Sequence, residues 1–387
     1  MKVLVVTEYF PRQGDPVRGV WAYRQALATR EAGAEVRVLV LHRPIPPLAA
    51  LRRGDLRAAW RELGQPPQAQ PQGLSVEYLR YLSPPRPWSY DTWGAWAAPW
   101  LARRLPAIRR SFDFDLVHAH YAIPAGDAVR RAGPDVPVVL SVHGHDVFGA
   151  GAGGPRVETV LRHARLVVAN SQGTAERCRV AGAPQVEVVH LGTDIPDSPP
   201  PAPADPVLVT VAHLAPRKRH RDVLAAVARL RSRHPRLRYV VVGDGPARGA
   251  LERQSAELGL TGCVDFRGAL APQEARAAAQ AATLFVMPSV DEAFGVAYVE
   301  AMAAGVPAVG CRGEAGPEEI ARAGGGMVLV PPEDPQRLAE AVDHQLSQPG
   351  SLTELRRAAR QTVLENFTWP GCGQATVEAY RHALRGR

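Results

Sequence analysis

A chain of 387 residues with 46% apolar and 22% charged side chains is long enough to bury two or three ordinary cores and is not a disordered chain. Its 46 Lys and Arg against 38 Asp and Glu leave +8, but residues 43 to 110 alone hold eleven Arg against Asp55, Glu62, Glu77 and Asp91, so the rest is nearly neutral and carries no nucleic-acid-binding motif. Four cysteines, Cys178, Cys263, Cys311 and Cys372, stand far apart without a C-x-x-C pair, which excludes a zinc ribbon or a disulfide framework and points to a reducing, cytoplasmic compartment.

The chain opens with apolar Val3 to Val6 and then Glu8, too short a run for a signal-peptide core, and Thr92 to Ala102, the longest uncharged apolar run elsewhere, is too short to span a bilayer. Short Val- and Leu-rich runs predict strands at Val3 to Thr7, Val36 to Leu41, Leu116 to Ala119, Val136 to Val142, Leu166 to Ala169 and Val186 to Val189. Such uninterrupted apolar strands are expected where helices cover both faces of a parallel sheet. After a proline-rich stretch, Ile195 to Pro206, the pattern resumes with Val207 to Ala212, Tyr239 to Val242, Val264 to Arg267, Leu284 to Met287, Ala308 to Gly310 and Met327 to Val330, with helices at Asp222 to Arg233 and Gly295 to Ala304.

The predicted class is therefore α/β, with two doubly wound, Rossmann-like parallel-sheet domains. The first covers 1–195, a stiff connector covers 196–206, and the second covers 207–368; the tail 369–387 is expected as a helix that returns to the N-terminal domain after a break at Trp369-Pro-Gly371. Ligands of open parallel sheets bind beyond the carboxyl ends of the strands, so the domains are expected to face an interdomain cleft lined by post-strand loops.

In chain order, the first such loop is Pro11 to Val20, where Gly14 or Gly19 would let backbone approach a ligand; Gly19, at the helix start, is preferred. Asp113-Phe-Asp115 precedes its strand and lies at the wrong end of the sheet for chemistry. His118-x-His120 with His143-Gly-His-Asp146 could form a metal cluster, but no third carboxylate stands at ligand spacing, so no metal site is assigned and His118 is read as a core histidine. Gly149 to Gly154 matches G-x-G-x-x-G but is separated from its strand, which removes the dinucleotide reading.

Beyond the strand at 207–212 stands Lys218, one of only two lysines in an arginine-rich chain and a point charge suited to a diphosphate. Finally, Met287 to Gly305 runs from strand into a helix expected to open near Phe294, whose N-terminus would seat a phosphate. Glu300 lies about 9 Å further along that helix, in an otherwise apolar segment, within reach of a sugar hydroxyl pair.

Glu292 and Glu300 with seven residues between, the Phe294-Gly295 step and Glu300-Ala-Met-Ala-Ala-Gly-Val-Pro307 resemble the signature of the retaining nucleotide-sugar glycosyltransferases of family four, built on the two-domain GT-B fold. Val211-Ala-His-Leu-Ala-Pro-Arg-Lys218, Val242-Gly-Asp-Gly-Pro246, Val264-Asp-Phe-Arg-Gly268 and His143-Gly-His-Asp146 extend the resemblance over nearly the whole chain. It implies catalytic roles for Lys218, Glu292 and His143. Donor-binding roles are implied for Gly19, His213, Arg217, Gly243, Asp244, Gly268, Glu300 and the backbone of Phe294, Gly295 and Val296. His213 and Arg219 depart from the usual Arg and Gly of the lysine loop, and either Arg217 or Arg219 is expected to supply the missing phosphate-binding charge.

The activity implied is transfer of a hexose from a nucleotide-diphosphate sugar, UDP-sugar foremost, to a glycan or lipid-linked acceptor with retention, in cell-surface glycan or glycolipid synthesis and without a cofactor. The competing readings are a nucleotide-sugar epimerase or hydrolase on the same fold and a non-catalytic binding subunit. A separate expectation comes from Trp88, Trp93, Trp96 and Trp100, which precede Arg103, Arg104, Arg109 and Arg110 and follow the Leu51 to Trp60 segment: residues 43–110 dock the protein peripherally on an anionic membrane, at its inner face. Against it, Trp96 and Trp100 have the spacing of a core-facing helix, and Pro99 and Pro106 would interrupt an amphipathic surface.

Overall fold

The computed structural model describes residues 1–12, 15, 18–45, 54, 57, 68–69, 71–84, 86–148 and 153–385. Gly14, most of Leu51 to Trp60 and residues 149–152 of the glycine run lie outside them. The chain divides into two compact units, Met1–Gly192 with Trp369–Arg387, and Thr193–Thr368.

The first unit is built on an eight-stranded sheet. Its strands are β1 (Lys2–Thr7), β2 (Glu35–His42), β3 (Gln68–Ala69), β4 (Ser75–Arg80), β5 (Leu116–His120), β6 (Val138–Val142), β7 (Leu166–Ala169) and β8 (Val186–Val188), in the order β3-β4-β2-β1-β5-β6-β7-β8. All pairs are parallel except β3 with β4. Strand β1 takes the centre because Val3 to Val6 is apolar on both faces; Val3 pairs with Val36 on one side and Leu116 on the other, and all four residues are buried. The sequence reading missed β3 and β4: Ser75-Val-Glu-Tyr-Leu-Arg80 alternates buried Val76 and Tyr78 with exposed Ser75 and half-buried Glu77 and Leu79, the pattern of a strand near a sheet edge rather than of its centre.

Helices α1 (Val20–Glu31), α2 (Trp93–Ser111), α3 (Asp127–Ala132), α4 (Pro155–His163) and α5 (Gln172–Val180) belong to this unit. Its core joins sheet residues such as Leu4, Val6 and Val117 to Trp93, Leu101 and Leu105 of α2.

The second unit holds a six-stranded parallel sheet, β11-β10-β9-β12-β13-β14, from β9 (Val207–Val211), β10 (Arg238–Val242), β11 (Val264–Gly268), β12 (Leu284–Val286), β13 (Ala308–Cys311) and β14 (Met327–Val330). Around it lie α6 (His220–Leu230), α7 (Arg248–Glu257), α8 (Pro272–Gln280), α9 (Val296–Ala303), α10 (Ala315–Ala323), α11 (Pro335–Ser347) and α12 (Pro349–Asn366). The sheet is covered on both faces: Leu208 joins the core made with α6 and α11, and the next residue, Val209, joins the one made with α9 and α12.

Pro196 to Pro206, expected as a separate connector, belongs to this unit. Arg360 of α12 donates to the Pro196 carbonyl at 2.7 Å and Arg356 to that of Pro200 at 3.4 Å; proline carbonyls, with no N–H beside them to enter a sheet, are taken up by these guanidinium donors. The last helix, α13 (Trp369–Arg385), packs along α1 in the first unit, where Gln25 donates to Thr376 at 3.0 Å and Tyr380 meets His118 at 2.6 Å.

Candidate active site

In the second unit the strand order reverses between β9 and β12, which pair directly although β10 and β11 intervene in sequence. The crevice at the carboxyl ends of such a strand pair is the general ligand position of open α/β sheets. The two loops that leave it carry the residues singled out from the sequence. They are tied together by the Val290 N–H, which donates to the Arg217 carbonyl at 2.9 Å.

Across this join Lys218 Nζ lies 2.5 Å from Glu292 Oε2, and Arg217 Nη1 lies 3.8 Å from the same oxygen. Ser289 Oγ donates to Glu292 Oε2 at 2.9 Å and lies 3.1 Å from the Tyr298 hydroxyl, which donates to the Met287 carbonyl. The Glu292 N–H donates to Glu314 Oε2 at 3.0 Å. Glu292 is thereby held from the loop after β12, from the loop after β9 and from the loop after β13. Burial lowers the pKa of Lys218 from its ordinary value; Glu292 opposes the shift and Arg217 adds to it. An ammonium fixed in a mostly buried position keeps more of its field than one in water.

Helix α9 starts at Val296, with Gly295 as its cap. Phe294, expected near its opening, is outside the helix, with its ring buried 5.5 Å from Phe367. Gly295 has φ +86°, and a Cβ there would sit 2.4 Å from the Tyr298 ring, so only glycine turns the chain into this helix. Glu300 projects from α9 with a carboxylate oxygen 3.8 Å from Arg276 Nε of α8; Arg276 Nη1 is held by Asp194 at 2.6 Å. Burial raises the Glu300 pKa, and Arg276 limits the rise.

The loops after β9 and β10 are joined as well. Leu214 N–H donates to the Asp244 carbonyl at 3.0 Å, Gly243 N–H to the Gly268 carbonyl at 2.8 Å, and a Cβ on Gly245 would come within 2.8 Å of the His213 ring. His213, Asp244 and Gly268 thus cluster at the carboxyl ends of β9, β10 and β11, with His213 and Asp244 exposed.

Arg219, one of the two expected substitutes for the missing phosphate-binding charge, is committed elsewhere. Its guanidinium is bound to Asp222 at 2.7 Å and Glu333 at 2.8 Å, and its backbone, at φ +58°, occupies the left-handed region that a glycine would take without strain. Arg217, about half exposed beside Glu292, is the cation left over the join.

In the first unit, Gly19 caps α1 at φ +61°, and a Cβ there would lie 2.1 Å from the Tyr9 carbonyl. This close approach packs the loop after β1 against its own first turn. His143 follows β6 and is buried, its ring stacked 5.6 Å from that of His120 with Nε2 at 3.4 Å from His120 Nδ1, and 4.4 Å from the Tyr121 ring. Desolvation lowers its pKa to about 4, so it is a neutral imidazole near pH 7. Asp146 accepts from the His143 N–H at 3.0 Å and the Ala122 N–H at 3.1 Å; burial pushes its pKa up to about 7 despite these bonds. His118 bonds Tyr380 through Nδ1 and Ser141 through Nε2, at 2.6 and 2.8 Å, so its ring clamps β5, β6 and α13.

Sequence reasoning missed Ser289, Glu314 and Arg276. Ser289 had a signal, three residues before Glu292 in the same loop, and Glu314 also follows a strand end. Arg276 lies within an Ala-rich helix and had none.

Residues 193–362 match the family model described as glycosyl transferases group 1, and residues 7–197 match that of glycosyltransferase family 4. The chain belongs to the family-four glycosyltransferases. It is 30% identical over 308 residues to a GDP-mannose-dependent α-(1-6)-phosphatidylinositol monomannoside mannosyltransferase of Mycolicibacterium smegmatis, covering 72% of this glycosyltransferase and 80% of that protein. A D-inositol 3-phosphate glycosyltransferase of Streptomyces bingchenggensis is 29% identical over 420 residues, covering 97% and 87%.

Among solved structures, sucrose-phosphate synthase of Thermosynechococcus elongatus superposes with a TM-score of 0.78 at 20% identity over the whole of both chains. HepE of Anabaena, solved with UDP and glucose, gives 0.69 at 20% identity over 99% and 100%. The fold of this glycosyltransferase is GT-B, with its two Rossmann-like units. No helix among the described residues is long and apolar enough to cross a membrane.

Proposed function

We propose that this glycosyltransferase moves a hexose from a nucleotide-diphosphate sugar to an acceptor hydroxyl with retention at the anomeric carbon. The observation that carries the reading is the meeting of Lys218 and Glu292 at the β9/β12 switch point, beside the N-terminus of α9. A departing diphosphate gains negative charge as the glycosidic bond stretches. Lys218, Arg217 and the first amides of α9 form a positive field that strengthens with that charge and lowers the barrier. Glu292, held by Ser289 and Glu314, fixes Lys218 before substrate arrives and faces the sugar once the diphosphate takes over the ammonium. Glu300 holds the ribose hydroxyls; His143, to which the family resemblance gives a role toward the donor, is buried and kept a neutral imidazole near pH 7. In a retaining transfer the acceptor attacks from the face the leaving group vacates, so the leaving phosphate oxygen takes the acceptor proton and no opposite-face carboxylate is required.

A glycan or lipid-linked polyol is the acceptor class, in line with the phosphatidylinositol mannoside and inositol phosphate named for the relatives. UDP is the nucleotide favoured from the family resemblance, and the Mycolicibacterium relative is named for GDP-mannose. Calorimetric titration with UDP-, GDP- and ADP-sugars therefore tests the donor class: one nucleotide should bind wild-type protein and bind Glu300→Ala at least ten-fold more weakly. Binding of none of them, with purified folded protein, contradicts the reading.

A further inference from the structure

Four of the seven exposed large apolar side chains among the described residues fall between positions 82 and 100: Leu82 at 62%, Trp88 at 74%, Trp96 at 48% and Trp100 at 47% exposure. The sequence spacing of the tryptophans fits a core-facing helix equally well, but α2 turns the other way. Trp93, Ala97, Leu101, Leu105 and Ile108 face the core. Trp93 anchors that face, its indole N–H donating to the Pro84 carbonyl at 3.1 Å and to Ser89 Oγ at 3.0 Å beneath the Arg43 guanidinium. At a rotation of about 100° per residue, Trp96, Trp100, Arg103 and Arg110 form one stripe on the opposite side, and all four are exposed. Pro99 and Pro106 also lie on the exposed side, inside a continuous 19-residue helix, and do not break it.

The arginines of this helix are not equivalent. Arg104 is bound to Glu77 through two contacts, at 2.5 and 2.8 Å, and Arg109 is spent on Asp113 at 2.9 Å and the Phe114 carbonyl at 2.6 Å. Arg103 instead lies over the Trp100 ring at 5.9 Å, and Arg110 bonds the Pro106 carbonyl of its own helix at 3.4 Å. Residues 82 to 111 contain five arginines and a single acid, Asp91, which Arg156 pairs at 3.1 Å. The outward face is thus three indoles and Leu82 followed by two guanidinium groups that pair with no carboxylate among the described residues.

We infer that this face of α2, with Trp88 and Leu82 before it, rests in the interface of an anionic lipid bilayer. Charge complementarity selects that occupant. Indole rings favour the headgroup layer, where apolar body and N–H are both satisfied, and guanidinium groups beside them meet lipid phosphates. A basic and aromatic stripe lying along a surface has the form of an interfacial helix rather than of a closed pocket. This inference does not rest on the transferase reading, since none of these residues belongs to the candidate active site.

The test is co-sedimentation of the full chain with phosphatidylglycerol vesicles, with phosphatidylcholine vesicles as the comparison and at low and high salt. Binding to phosphatidylglycerol at low salt, release at high salt and a blue shift of tryptophan emission are expected. Arg103→Gln with Arg110→Gln should weaken partitioning about thirty-fold, and Trp96→Ser with Trp100→Ser about ten-fold or more. Melting temperature and donor turnover on a soluble acceptor should stay at wild-type values, which separates lost docking from a damaged fold or site. Equal binding to both lipids, no binding at low salt, or variants that bind like wild type would overturn the inference. So would self-association in light scattering that the tryptophan substitutions abolish while vesicle binding is absent, because the face would then be an interface between copies of the chain.

Discussion

Lys218→Met should lower stability and turnover together, and a second substitution should separate the two. In the wild type the Lys218 and Glu292 side chains are only 12% and 9% exposed, 2.5 Å apart. Removing the ammonium leaves a buried carboxylate with Ser289 Oγ at 2.9 Å and Arg217 at 3.8 Å as side-chain support. Breaking a buried pair on one side costs about 3 to 5 kcal/mol; with two residual partners the lower end, about 3 kcal/mol, is expected here. Glu292→Gln in the same chain removes the stranded charge, so the double variant should regain at least about 1 kcal/mol relative to the sum of the single ones. Turnover should not follow. Loss of one charged stabiliser of a leaving group costs about 3 to 4 kcal/mol in the barrier, or about 10² to 10³ in kcat, and the double variant should remain that slow. Urea unfolding gives the first quantity and initial rates at saturating donor give the second. A coupling energy near zero would show that the pair is not a buried unit. Wild-type kcat in Lys218→Met would remove the lysine from the chemistry.

Glu300→Ala should weaken donor binding by about 1.5 to 3 kcal/mol, the range for hydrogen bonds to a charged group, with an unchanged calorimetric Kd as the contrary result. Arg219→Gly relieves the left-handed strain at φ +58° but leaves the buried Asp222 carboxylate with the more distant Arg221, at 3.7 Å, so a net loss of about 2 kcal/mol is expected, with donor Kd unaffected because this guanidinium already serves Asp222 and Glu333. Stability should fall on acidification from about pH 6.5 toward pH 4. His143 and His220 have folded pKa values lowered to about 4 and His118 to about 3, so the unfolded chain binds more protons in that window and unfolding gains by up to about 1.4 kcal/mol per pH unit per histidine. Asp146, raised to about 7, acts oppositely between its unfolded value near 4 and pH 7, so His143→Phe should flatten the acid limb of the urea-unfolding profile and Asp146→Asn, by removing the opposing contribution, should steepen it.

The parts of this structure legible in the sequence are those that local chemistry dictates. Val3 to Val6 and Leu284 to Val286 are apolar on both faces, which specifies central parallel strands whatever surrounds them. Lys218 and Glu292 stand in post-strand loops, and the reversal of strand order at β9 and β12 brings them together across 74 positions of chain. That pairing is a property of topology, visible to sequence reasoning only through the family resemblance. Other features were hidden because their decisive partner is remote. Arg219 looked available for phosphate until Glu333 and Asp222 were seen to hold it. Trp96 and Trp100 have a spacing that serves either face of a helix, and Trp93 decided which face is inward. β4 escaped notice because Ser75, Glu77 and Arg80 interrupt its apolar residues, unlike the uniform apolar runs that marked the other strands.

The measurement that bears most directly on the central claim is product analysis by NMR with a donor carrying ¹³C at the anomeric carbon, incubated with purified protein and a polyol acceptor. Transfer with retention at the β9/β12 switch point predicts a labelled glycoside whose anomeric configuration matches that of the donor, formed by wild type and, at a rate lower by about 10² to 10³, by Lys218→Met. Label appearing as free sugar, as an epimerised nucleotide sugar or in a glycoside of inverted configuration would contradict the account, as would an equal rate from the two proteins.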